Sequence, residues 1–195
     1  MNTMKRVILP VAVLALALTG CSGGDSGSHD GHGGGKSAAA APGGHNPQDV
    51  MFAQEMVPHH KQALEMAVLA ETRAESPEVR KIAARIKGAQ DPEITAMTGW
   101  LKGWNESPSA DHEMSDDTGG NGMMSTGEME ELGGLKGAAF DQLFLELMIK
   151  HHQGAVAMAG DEVDSGSFGP AKALAQKIVD GQTAEITEMR ALLKP

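Results

Sequence analysis

An internal duplication is the feature that most constrains the fold of this chain. Residues 49–101 and 141–193 align without a gap at a constant offset of 92 residues and share sixteen identical residues. The identities form two short clusters, whereas chance identities would be scattered. Because a unit of this size cannot cover its apolar face alone, the duplication predicts two copies that pack against each other in one domain.

Two patterns carry most of the identities. The first is Asp-x-x-Phe-x-x-x-Met-x-x-His-His-x-x-Ala-x-x-Met-Ala, and the second is Gln-x-x-Glu-Ile-Thr-x-Met. Both have the spacing of amphipathic helices. Their polar and sulfur-containing members are Met56, His59, His60, Met66, Gln90 and Glu93 in the first copy, and Met148, His151, His152, Met158, Gln182 and Glu185 in the second.

Capping signals divide each repeat into two helices. Asn46-Pro47 and Ser76-Pro77 each place a capping side chain before a first-turn proline, and residues 165–170 form a Gly- and Ser-containing break in the second copy. We therefore predict helices at about 47–73, 77–103, 136–162 and 170–194. The predicted fold class is all-α, a four-helix bundle of two duplicated helical hairpins related by a pseudo-two-fold axis.

The histidines and carboxylates are predicted to meet inside this bundle. On a helical projection, His59 and His60 border the apolar stripe of the first helix, and Gln90 and Glu93 lie within that of the second. Counted from the turn near residue 75, both sets stand at about the same height. Polar groups on a buried face need partners, so we expect one layer that also contains the equivalent residues of the second copy.

This layer has the composition of a soft metal site. Imidazoles and thioethers suit copper, particularly Cu(I), better than magnesium or calcium. We expect the glutamates either to orient imidazoles or to bind the metal directly. Pro58, opposite Lys150 in the alignment, predicts a kink that makes the two halves unequal. The candidate ligands are His59, His60, His151, His152, Met56, Met148, Met66, Met158, Glu93 and Glu185.

Two other interpretations stay open. A closed His-Glu-Gln hydrogen-bond network would suit a metal-free envelope adaptor or a structural lipoprotein. A ferritin-like bundle would also suit an oxidase, but di-iron proteins use Glu-x-x-His pairs. The residues three positions before the histidines are instead Met56, Val57, Met148 and Ile149. We therefore predict a binding protein that is not an enzyme.

The N-terminal sequence predicts export and a lipid anchor. Two basic residues precede an apolar run that is too short to span a bilayer, and Leu18-Thr19-Gly20-Cys21 resembles a lipobox. We expect residues 1–20 to be a signal peptide and Cys21, the only cysteine, to be lipidated. Residues 21–45 are predicted to be a flexible tether, 46–195 the bundle domain, and 105–134 a flexible Met-containing linker within it.

Charge limits the partners. The chain has a formal net charge of −10, and removal of Lys5 and Arg6 with the signal peptide would leave −12. A nucleic-acid partner is not expected, because phosphate contacts need a basic face. The predicted partners are a metal ion and, through the lipid, the extracytoplasmic face of the membrane. No protein partner is indicated.

The duplicated Met-x-x-His-His motif resembles a bacterial family catalogued as a "domain of unknown function", which includes periplasmic copper-binding proteins of the CopM type. The resemblance covers about residues 46–195 and both copies of the motif. It implies a ferritin-like four-helix bundle, an exported location and the binding of copper, as Cu(I) or Cu(II).

Overall fold

The computed structural model describes residues 44–108 and 120–193, which contain helices and no strand. The predicted signal peptide, Cys21 and residues 22–43 of the predicted tether lie outside the described residues. No helix in the described part is long and apolar enough to cross a membrane. The helices are α1 Pro47–Arg73, α2 Pro77–Trp104, α3 Thr126–Gly134, α4 Ala138–Ser165 and α5 Gly169–Leu192, with a 3₁₀ turn at Gly120–Gly122.

The four long helices confirm the predicted all-α bundle, and their ends lie within three residues of the predicted ones. Asn46 begins α1 with a capping box, in which its side chain and that of Asp49 each accept a backbone N–H from the other residue. Ser76 caps α2 ahead of Pro77. α1 is continuous through Pro58, and the kink predicted there stays a prediction.

The segment 105–134 differs from the predicted flexible linker. Residues 109–119 lie outside the described residues, but the following part forms the 3₁₀ turn and α3. A capping box between Ser125 and Glu128 begins α3, and Leu132 anchors it in the core. The Ser-x-x-Glu spacing is a sequence signal for a helix start, which the surrounding glycines obscure.

The two repeats are joined by reciprocal caps. Asp49 in α1 accepts backbone N–H groups from residues 167 and 168, at 3.1 and 2.8 Å, in the turn before α5. Its duplicate Asp141 in α4 accepts those of residues 75 and 76, at 3.1 and 2.7 Å, in the turn before α2. Consequently α1 and α4 run antiparallel, and the repeats are related by the predicted pseudo-two-fold axis.

Buried residues of the described helices form two apolar clusters, with α2 packed on α1 and α5 on α4, and α1 and α4 form the main contact between the hairpins. A helical projection of α1 places Gln54, Lys61 and Glu65 opposite the apolar stripe; Lys61 and Glu65 are exposed and Gln54 is half-buried. The residues that the same projection places on the apolar stripe are all buried: Phe52, Met56, His59, His60, Ala63, Met66, Ala67 and Ala70. The helical phase deduced from the repeat is therefore confirmed.

Candidate metal site

His59 of α1 and His151 of α4 meet at the centre of the contact between the two repeats. Their ring centroids are 3.7 Å apart, the planes are inclined by 40°, and both residues are buried. Because these histidines are duplicates of each other, their contact lies on the pseudo-two-fold axis. The layer predicted from the repeat is centred on this pair, which we call the inner histidines.

The second histidine of each pair binds a carboxylate of its own hairpin. His60 Nε2 lies 2.8 Å from Glu93 Oε2, and His152 Nε2 lies 2.8 Å from Glu185 Oε2. The imidazoles are fully buried, whereas the Glu93 and Glu185 side chains are 19% and 13% exposed. The prediction that these groups meet at one level is confirmed, and in this geometry the glutamates orient imidazoles.

The glutamines do not complete a closed network. Gln90 and Gln182 are buried in the same layer. Neither the amide nitrogen nor the amide oxygen of Gln90 has a hydrogen-bond partner in the described structure, and the amide oxygen of Gln182 has none. Each carboxylate contacts one imidazole, and the neighbouring glutamine amide is not part of that contact. This geometry disfavours the purely structural His-Glu-Gln network.

Burial keeps the inner histidines neutral. It lowers the pKa of His59 to about 3; the hydrogen bond with the Asn121 carbonyl opposes this shift, and the neighbouring His60 and His152 add to it. Burial also lowers the pKa of His151 well below its ordinary value, with a further contribution from His59. A neutral imidazole is the form that binds a metal ion, so both rings are ready for coordination at physiological pH.

Unpartnered nitrogen atoms also lie at the contact between His59 and His151. Both ring nitrogens of His151 and Nδ1 of His59 are buried without a hydrogen-bond partner. Such atoms each cost about 1–3 kcal/mol, so unsatisfied polar groups at this place need an explanation, and a bound ion is one. Within residues 44–108 and 120–193, however, no three His, Cys, Asp or Glu side chains are arranged to hold one metal ion. The donors share a layer, but their rings must turn before they can share an ion.

The four predicted methionines lie on both sides of the histidine layer. Met56 and Met148 precede the histidine pairs by one helical turn, and Met66 and Met158 follow them by about two turns. All four are buried. Met56 and Met158 belong to one apolar cluster and Met66 and Met148 to the other, as the pseudo-two-fold axis requires. Their role as ligands stays a prediction.

A segment that the periodicity did not indicate covers the inner histidines. Residues 120–124, which we call the strap, pass over α1 and α4 at this level. The Asn121 carbonyl oxygen lies 2.9 Å from His59 Nε2. Gln62 donates to the Met124 carbonyl at 2.9 Å and accepts the Met124 N–H at 2.7 Å. The two halves of the site are unequal, as predicted. The inequality comes from the strap, however, and not from a kink at Pro58.

Comparison with known sequences gives one family. Residues 49–193 match the model of a family described as a domain of unknown function, DUF305. None of the curated proteins matches the chain.

Several solved structures are similar in sequence and fold. A DUF305 protein from Streptomyces coelicolor, described as secreted, is 37% identical, with 75% of this chain and 90% of that chain covered and a TM-score of 0.70. A DUF305 fragment from Deinococcus radiodurans is 34% identical, with 76% and 96% covered and a TM-score of 0.69.

CopM is a third similar structure. Its Cu(II)-bound form is 32% identical, with 74% of this chain and 95% of that chain covered and a TM-score of 0.66. Its Cu(I)-bound form is 31% identical, with 74% and 94% covered and a TM-score of 0.61.

Proposed function

The chain belongs to the DUF305 family, and we propose that it binds copper in the cell envelope, where it buffers, sequesters or hands on the ion. The observation that carries this proposal is the buried contact between His59 and His151, whose imidazoles are neutral and have unpartnered nitrogens. CopM, which is similar over most of the chain, has been solved with Cu(I) and with Cu(II) bound.

The donor set favours copper over other common ions. Imidazole nitrogens suit Cu(II), Cu(I) and zinc, whereas thioethers suit the soft Cu(I) and are poor ligands for magnesium or calcium. Buried methionines stand beside both histidine pairs. Rotation of the imidazoles and of the flexible Met side chains would let one layer accept either oxidation state of copper.

We propose that binding is the whole function. A di-iron oxidase needs carboxylates at the metal, but Glu93 and Glu185 are held by His60 and His152. Catalysis also needs an open position on a metal held by fixed ligands. Donors that must turn before they can coordinate suit uptake and release of an ion instead.

The location belongs to the same proposal. Cys21 would carry a lipid, and residues 21–45 would let the bundle move above the outer face of the membrane. The similar secreted protein from Streptomyces coelicolor supports an extracytoplasmic location. Membrane fractionation tests the anchor: the protein should sediment with membranes, and a Cys21→Ser variant should not. A variant that still sediments would exclude lipidation of Cys21 as the anchor.

Metal analysis and complementation test the function. The protein, purified without a His-tag, should retain copper in preference to magnesium and calcium. A strain without the gene should be copper-sensitive, and the gene should restore growth in copper. A version in which His59, His60, His151 and His152 are all replaced should fail to do so at equal protein abundance. Full rescue by that version would support the metal-free adaptor, and substrate turnover that depends on these histidines would support an oxidase.

Replacement of Met56 and Met148 by leucine should weaken Cu(I) binding about tenfold or more, equivalent to about 1.4 kcal/mol. Cu(II) binding should change less, because thioethers are soft ligands. Competition titrations with chelators specific for each oxidation state measure both affinities. Met97 and Met189, which are buried duplicates of each other, provide the matched control. Equal losses for Cu(I) and Cu(II) would remove Met56 and Met148 from the set of ligands.

A further inference from the structure

The strap is tied to the helices on which it lies. In addition to the two bonds between Gln62 and Met124, the Asn121 side chain donates to Glu55 at 3.1 Å. An ion pair of 2.7 Å between Lys150 and Glu128 fixes α3, which follows the strap, to α4. These contacts are polar, but Met124 at the end of the strap is buried in the core, so we expect residues 120–123 to move about Met124 while the core stays packed.

Two glycines allow the strap to lie close against α4. Gly122 has a φ of +78°, and a Cβ atom there would lie 2.6 Å from the Lys150 carbonyl oxygen. A Cβ atom on Gly154, one turn after His151, would overlap the carbonyl oxygen of Asn121. In the repeat, Gly154 corresponds to Gln62. In the first repeat the Gln62 side chain therefore binds the strap, and in the second repeat the absence of a side chain at Gly154 leaves space for it.

The strap covers the inner histidines and fixes the tautomer of His59. His59 Nε2 bonds to the Asn121 carbonyl, and the covering backbone lies directly against α4 one turn from His151. Nδ1 of His59 is buried away from any partner. Because the Asn121 carbonyl accepts the Nε2–H of His59, Nδ1 is the nitrogen left to bind an ion, and an ion that approaches from this face requires residues 120–123 to move.

We propose that the strap is a gate for the inner histidines: it opens to admit or release copper, and it closes by returning the Asn121 carbonyl to His59. This inference rests on the proposed function and adds the step that controls the entry and release of copper. The asymmetry of the two repeats gives it a physical basis, because the strap covers the pseudo-two-fold axis once, on one face of a layer that the repeats alone would make symmetric.

Gly154→Ala tests the gate, with Gly160→Ala as the matched control. Both positions lie in α4, but a Cβ atom at Gly160 meets nothing within 4 Å. Gln62→Leu, which removes both bonds to Met124, is a second way to release the strap. Amide hydrogen exchange at residues 120–124 reports whether the strap is displaced. Diethyl pyrocarbonate modification of His59, followed by mass spectrometry, reports access without any metal. Stopped-flow mixing with Cu(I) and with a competing chelator gives the rates of uptake and release.

We expect Gly154→Ala and Gln62→Leu to accelerate strap exchange, His59 modification and both copper rates by about tenfold, which corresponds to about 1.4 kcal/mol. Gly160→Ala should behave as the wild type. Faster strap exchange with unchanged modification and copper rates would overturn the gate, and so would unchanged strap exchange in both release variants. Faster His59 modification in a protein that binds no copper would instead reject the proposed function and show that the strap controls access to His59 but not to copper.

Discussion

Replacing His151 with leucine is expected to stabilise the metal-free protein and to remove most of its copper affinity. By hydrogen-bond geometry neither ring nitrogen of His151 has a partner, although the neighbouring His59 backbone opposes the lowering of its pKa, and the residue is fully buried. A leucine of similar size removes these unsatisfied groups, so the free energy of unfolding should rise by about 1–3 kcal/mol. The affinity for copper should fall by more than about 100-fold, because even groups that only orient ligands contribute about 10–100-fold.

His60→Leu is the informative contrast. This histidine is equally buried, but its Nε2 holds the Glu93 carboxylate, whose side chain is 19% exposed. Its removal leaves a largely buried charge without its partner, so the metal-free protein should lose about 1–3 kcal/mol of stability. Urea unfolding of the two variants, followed by circular dichroism, and copper competition titrations measure both effects. A His151→Leu variant as destabilised as His60→Leu would favour the structural network and the adaptor hypothesis.

The fold and the histidine layer were predictable because the repeat specifies the same helical face twice. Phe52 and Phe144, or His59 and His151, mark one arc in two independent stretches of sequence. The cap signals at residues 46 and 76 then set the hairpin length, which brings Glu93 to the level of His60. Periodicity and caps are local properties, and this architecture follows from them directly.

The arrangement of donors within the layer was not predictable in the same way. Helical phase gives the face on which His151 lies, but it does not give the direction of its ring nitrogens. Those directions depend on contacts between hairpins, such as the 3.7 Å contact with His59, and on the strap. The strap itself has no periodicity. The sequence signals for it are the capping box at Ser125 and the presence of Gly154 where the first repeat has Gln62.

Glu162 is a second residue that the repeat could have revealed. It aligns with Ala70, which the helical projection places inside the bundle, so a carboxyl at this position must be buried. Burial raises the pKa of Glu162 to about 8, and the adjacent Asp49 contributes through a hydrogen bond and its negative charge. Burial also acts to raise the pKa of Asp49, but hydrogen bonds from the backbone of Asn46 and Phe168 and from the side chains of Glu162 and Ser167 lower it overall. The two carboxyls therefore hold one proton between them at neutral pH.

Glu162→Gln should make the protein more stable at alkaline pH. Between the ordinary pKa of 4.5 and the folded pKa of about 8, the folded protein keeps a proton on Glu162 that the unfolded chain has lost. Stability contributed by this group is therefore complete below pH 4.5 and falls as the pH rises to about 8, by up to about 1.4 kcal/mol per pH unit.

The amide introduced by Glu162→Gln cannot ionise and can still donate to Asp49. The variant should therefore melt close to the wild type at pH 5 and several degrees higher at pH 9. In a chain of this size, about 1 kcal/mol of stability corresponds to about 2–4 °C in melting temperature. His59 and His151, whose pKa values are lowered, act in the opposite direction and reduce stability as the pH falls below 6.5. The quantity to compare is thus the difference between variant and wild type at each pH, measured by thermal unfolding of the metal-free protein. Asp161→Asn, at an exposed position next to Glu162 in α4, should leave the pH dependence unchanged. If Glu162→Gln keeps the wild-type slope between pH 5 and 9, Glu162 is ionised in the folded protein and does not share a proton with Asp49.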